Sequence, residues 1–163
     1  MNASQKKILL HAYGNPGRGD DGLGNEFIKE IDRWIAEHKL QSIATDSNYQ
    51  LNIEDAATMA DYDSVVFVDA SKEEIADYSF TKIQPESQSS FTTHAMSPSG
   101  VLYLCNDLYG KQPETYLLHI RGYKWEMMDG LSEQAEKNLR SAFYFFRTQL
   151  QEWIENEKKY EHV

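Results

Sequence analysis

The sequence predicts an α/β fold: a single domain, residues 1–163, with a mainly parallel twisted sheet of about five strands covered by helices on both faces. Three observations predict it. Val65–Ala70 (VVFVDA) is an unbroken β-branched and aromatic run, the pattern of a strand buried on both sides. Short apolar runs alternate along the chain with stretches of helical period, as strands and crossover helices do in a parallel sheet. Gly14–Gly24 (GNPGRGDDGLG) joins the first apolar run to the first helix with glycines and a proline, which permit a tight strand-to-helix turn.

Lys7–Tyr13 (KILLHAY) reads as the first strand. After the turn, Leu23–Leu40 places Leu23, Phe27, Ile28, Ile31, Trp34 and Ile35 on one helical face, and its charged residues mostly on the other. Ser42–Asp46 reads as the second strand, Asn48–Asn52 as a turn and Ile53–Ala60 as a short helix. Glu54 and Asp55 serve either as its start or as a pair supporting a site. Asp69 lies at the C-terminal end of the VVFVDA strand, Tyr78–Ile83 alternates as an edge strand, and Gln84–Ser90 is loop. Ser97 before Pro98 is an N-cap with proline at the first helical position. That helix turns Val101, Leu102, Cys105 and Leu108 inward and stops near Gly110. Tyr116–Ile120 is the last strand. Arg121–Leu131 has no clear period and reads as an excursion above the sheet. Ser132 caps a final helix whose inner face is Ala135, Leu139, Ala142, Phe143, Phe146, Leu150 and Trp153; the charged tail from Asn156 is expected to fray.

With 26 acidic against 16 basic residues the net charge is −10, which suits neither nucleic acid nor an anionic membrane. No apolar run approaches the ~20 residues of a membrane span, and the N-terminal run is too short for a signal peptide. The single cysteine, Cys105, excludes an internal disulfide and makes a reducing, cytoplasmic setting the expectation.

Parallel sheets bind ligands outside the carboxyl ends of their strands. The glycine-rich turn and Asp69 both follow strands, and His94 precedes a helix, so Asp21, Asp69 and His94 can meet at one edge. The turn is a poor phosphate cradle: its centre is acidic, and it carries neither G-x-G-x-x-G nor a P-loop lysine. Two carboxylates at ~4 Å repel by about 4 kcal/mol at an effective dielectric of 20, enough to force a proton onto one of them. A divalent cation removes the conflict. Two carboxylates and an imidazole suit zinc, nickel or a similar ion better than magnesium, and three ligands leave coordination positions open. Plainer roles stand beside these. Asp20 is the expected helix N-cap, Asp21 can complement the helix dipole, Asp69 can hold a turn, and His94 can be solvated. His11 and His119 read as hydrogen-bonded core histidines, His119 with a second role as spare ligand. His38 and His162 read as exposed, and Cys105 as core packing rather than a nucleophile.

On these residues the chain resembles the hydrogenase maturation endopeptidases, which process the large subunit of nickel–iron hydrogenases. GNPGRGDDGLG looks like their N-terminal signature, VVFVDA like their hydrophobic strand ending in Asp, and THAMSPSGVLYL like their His shortly before a helix. IRGYKWEMMDGLS is similar to their late run ending in Gly-Leu-Ser. The resemblance implies a three-layer α/β/α sandwich, and it implies that Asp21, Asp69 and His94 are both metal ligands and catalytic residues. The metal would be nickel carried by the substrate, or another divalent ion in its absence. The partner would be the large-subunit precursor, from which a C-terminal peptide is removed, with this chain acting as a monomer. Many relatives have Glu where this chain has Asp21, an arm one methylene longer. NYQLNIEDA departs from the Gly-Thr-rich second loop of better-known members and is similar to the branch serving cytoplasmic, cofactor-reducing hydrogenases. That departure leaves the substrate-recognition residues around Gln50 open. Two other readings compete. A non-proteolytic nickel-binding maturation factor would use the same three ligands. A peptidyl-tRNA hydrolase would share GNPG, but would follow it with Tyr and an Arg-His-Asn run where GRGDDG stands.

Overall fold

Alternation along the strands builds two cores, one on each face of a single sheet. The computed structural model describes residues 5–87 and 96–161. In chain order the elements are β1 (Ile8–Tyr13), a 3-10 turn (Gly19–Gly22), α1 (Leu23–Glu37), β2 (Ile43–Asn48), α2 (Glu54–Met59), β3 (Ser64–Ser71), β4 (Tyr78–Lys82), α3 (Pro98–Tyr109), β5 (Glu114–Arg121) and α4 (Glu133–Glu161). The sheet order is β2-β1-β3-β5-β4. The β1–β2, β1–β3 and β3–β5 pairs are parallel, and β4 is antiparallel to β5. The predicted α/β class and five-stranded, mainly parallel sheet are therefore the observed ones.

One parity of side chains, with Leu10, Val66, Val68, Leu118 and Ile120, packs beneath Phe27 and Ile31 of α1 and Leu139, Phe146 and Leu150 of α4. The other parity, with Leu9, Val65 and Phe67, packs beneath Met59 of α2 and Leu102 and Cys105 of α3. The result is three layers. Each fully buried Leu, Ile, Val or Phe contributes about 1.5–3 kcal/mol relative to its exposed state, so both faces hold the sheet. Among the described residues no helix is long and apolar enough to cross a membrane.

Ser97 caps α3 as expected: its hydroxyl accepts the Gly100 N–H at 3.0 Å, and Pro98 opens the helix. Ser132 caps α4, accepting the Ala135 N–H at 3.2 Å. Two expectations need correction. Leu108 is 56% exposed, because it lies in the last turn of α3 at the margin of the apolar stripe. The tail from Asn156 does not fray: α4 continues to Glu161. Trp153 and Ile154 pack against the α1–α4 core, and the Glu157 carboxylate accepts the backbone N–H of Lys6.

Candidate active site at the carboxyl edge of the sheet

Neighbours β1 and β3 lead in opposite directions across the sheet, β1 on to β2 and β3 toward the β5–β4 side. Such a reversal opens a crevice at the carboxyl ends of the two strands. β1 runs into the glycine-rich turn that carries Asp21, and β3 carries Asp69. Gly14 makes the junction possible. Its φ is +146°, and a Cβ there would lie 2.2 Å from the Asp21 carbonyl oxygen, so a side chain would push the turn off the strand. Asp21 is oriented from below: its Oδ2 accepts the Asn15 N–H at 2.7 Å.

The register Ala12↔Val68 sets Tyr13 beside Asp69, and the Tyr13 hydroxyl donates to the Asp69 carboxylate. Burial, then the negative charge of Asp21, push the Asp69 carboxyl up to about 7; the Tyr13 hydroxyl and the Ala70 N–H only partly oppose this. The Asp21 charge therefore adds to burial in opposing ionisation of Asp69. Burial and the Asp69 charge together hold the Tyr13 phenol far above its ordinary range, so it stays a donor.

His119 pairs with Asp69 in the β3–β5 register, with Nε2 3.9 Å from Asp69 Oδ2. That is an approach, not a hydrogen bond. Burial lowers the His119 pKa against the pull of Glu73, so the ring is neutral at neutral pH. Its side chain is 30% exposed, so it is not the core histidine expected; it stands at the rim beside Asp69. His11 is buried, but its Nε2 has no hydrogen-bond partner among the described residues. Its ring nitrogens lie 3.8 Å from Asp46 and from Asp55. Glu54 and Asp55 open α2, and Asp55 Oδ2 accepts the Asn52 N–H at 2.8 Å. Cys105 is buried in the α2–α3 core. His94 and His162 lie outside the described residues. Among the described residues no group of three His, Cys, Asp or Glu side chains is arranged to hold a metal ion.

Asp20 does not cap a helix. The 3-10 turn and α1 begin at Arg18 and Gly22 without a side-chain cap. The Asp20 carboxylate instead lies fully buried and accepts hydrogen bonds from Tyr123 N, Lys124 N, Ser132 N and Ser132 Oγ, at 2.7–2.9 Å. Burial alone would raise its pKa; those donors reverse the effect and hold it below the ordinary carboxylate range. Sequence reasoning passed over Tyr13 and the partners of Asp20. Tyr13 was within reach, since equivalent positions at the ends of two neighbouring parallel strands project to the same face.

No protein-family model matches the chain, and no curated protein matches its sequence. Solved structures match over most of its length. The hydrogenase maturating endopeptidase HybD of Escherichia coli superposes with a TM-score of 0.70 at 17% identity, covering 90% of this chain and 93% of that one. The [NiFe] hydrogenase maturation protease HycI of Thermococcus kodakarensis KOD1 gives 0.66 at 19% identity, covering 86% and 90%. The hydrogenase 2 maturation peptidase of a Thaumarchaeota archaeon gives 0.63 at 19%, covering 90% and 99%. The chain shares the fold of these proteases. At such identities the likeness is one of fold, and the chemistry has to be argued from the site.

Proposed function

We propose that this chain is an endopeptidase of hydrogenase maturation. It removes a C-terminal peptide from the nickel-loaded large-subunit precursor of a nickel–iron hydrogenase in the cytoplasm, and it reads the substrate's own nickel through Asp21, Asp69 and His94. The observation that carries the proposal is the conflict between Asp21 and Asp69 at the sheet's switch point, on a fold shared with proteases of that class. Two carboxyl groups, one pushed up to about 7, make a site that a divalent ion resolves by displacing a proton. His94 is named as the third ligand on the resemblance of THAMSPSGVLYL to the family's His shortly before a helix.

In this reading the Asn15 N–H fixes the Asp21 carboxylate and the Tyr13 hydroxyl fixes that of Asp69. The substrate's nickel polarises the scissile carbonyl or activates the attacking water. Binding of the ion displaces the proton that Asp69 otherwise holds, and one of the two carboxylates serves as the base for the chemistry that follows. The similarity of NYQLNIEDA to the branch serving cytoplasmic, cofactor-reducing hydrogenases supports a client of that class.

Alanine replacement of Asp21, Asp69 and His94 in turn, with the mass of the large subunit as readout, tests the proposal. Each variant is expected to leave nickel-loaded precursor at full length, and wild-type protein is expected to leave nickel-free precursor uncut. Retained cleavage by all three variants refutes the metal-reading role. A large subunit whose length never changes, even with wild-type protein, identifies a nickel-binding factor instead of a protease.

A further inference from the structure

The buried carboxylate of Asp20 has no part in the site as described, yet it is the most heavily bonded side chain near it. Oδ2 accepts from Tyr123 N at 2.7 Å, Lys124 N at 2.9 Å and Ser132 Oγ at 2.7 Å, and Oδ1 accepts from Ser132 N at 2.7 Å. These donors come from both feet of the irregular stretch between β5 and α4. Backbone bonds continue the attachment: Asp20 N to Lys124 O at 2.8 Å, Gly19 N to Met128 O at 3.1 Å and Met128 N to Gly17 O at 3.2 Å. At Gly122 a Cβ would come within 2.8 Å of both Asp20 Cβ and the Trp125 ring, so the stretch lies flat on the turn that presents Asp21. The Lys72 ammonium sits 5.1 Å over the Trp125 ring. The tip is bare by contrast: Met127 is 76% exposed, the most exposed of the large apolar residues described. A segment without helix or strand that is pinned at its feet and again at Met128, while it exposes the Met127 side chain between the exposed Glu126 and Asp129, has already lost the entropy that binding would otherwise cost it.

We propose that Asp20 is a positioning residue that holds residues 122–131 as a rigid arm beside Asp21, and that this arm, through Met127, bears the protein substrate. The proposal rests on the peptidase reading above. Asp20 and Asp21 then divide the work: one side chain faces the substrate, and the other fixes the wall against which the substrate lies.

The test compares wild type, Asp20→Asn and Met127→Ser on nickel-loaded precursor, with amide hydrogen exchange measured in parallel. For Asp20→Asn, the amides of Tyr123, Lys124 and Ser132 are expected to exchange about tenfold faster or more, with KM raised about tenfold and kcat within about threefold of wild type. For Met127→Ser, KM rises while those amides keep their protection. Unchanged exchange in Asp20→Asn overturns the clamp, and unchanged KM in both variants overturns the substrate-bearing role. Should Asp20→Asn fail to fold, Ser132→Ala, which removes a single donor, replaces it with the same expected direction. Absence of cleavage by wild type overturns the peptidase reading and this one with it; cleavage by wild type with KM unchanged in the variants overturns this one alone.

Discussion

Asp69 is folded into a place where its charge is unwelcome, and that makes it a probe of the site. Its carboxyl titrates at about 7 in the fold, against roughly 3.9 in an unfolded chain. Below roughly pH 4 both states carry the proton, and the full stabilisation is present. As pH rises towards about 7 the unfolded state gives up its proton first, so stability falls, by at most about 1.4 kcal/mol per pH unit. Denaturant midpoints for wild type and Asp69→Asn between pH 4 and 8 should show this slope in the difference, with the Asn variant gaining relative to wild type as pH rises. Tyr13→Phe removes a donor that favours the charged form. It should move the Asp69 titration upward, as read by carboxyl carbon NMR; an unmoved titration would mean the hydroxyl does no electrostatic work. The placement of Asp21 and Asp69 at the carboxyl edge of the sheet was legible, because each follows a run that reads plainly as a strand. The fate of Asp20 was not, because its partners lie more than a hundred residues away and an Asp at a helix start has a plausible local role.

Helices were easier to read than their ends. Every apolar position assigned to the inner face of α1 is buried, from Leu23 to Ile35. A period of 3.6 over fifteen residues leaves little freedom in which face turns inward. The Ser97 cap was equally plain, since serine followed by proline is a local signal. Ser97→Ala should cost about 1 kcal/mol, measurable as a lower urea midpoint with unchanged slope. The end of α4 was not legible. Its last turns are charged, and what holds them is Glu157 meeting the backbone of Lys6 at the other end of the chain. Tertiary contact there overrides a composition that favours fraying.

For the molecule as a whole, the alternation that places Leu10 on one face and Leu9 on the other makes each strand a shared wall. Neither core can melt without exposing the back of the other, so unfolding should be a single transition. Trp34 belongs to the α1–α4 core and Cys105 to the α2–α3 core. Tryptophan fluorescence and thiol reactivity should therefore report the same denaturant midpoint, whereas separated midpoints would show the layers to be independent. The outer margin of the sheet at β2 has a further consequence. That strand ends in Asp46, Ser47 and Asn48, all exposed, with the Asp46 carboxylate bonded to the next backbone N–H in the strand. A charged side chain and hydrated polar ones along this edge strand make it a poor template for another copy. Among the described residues the β2 edge is thus left open close to the proposed site, yet it is built to resist polymerising into fibres when the chain accumulates.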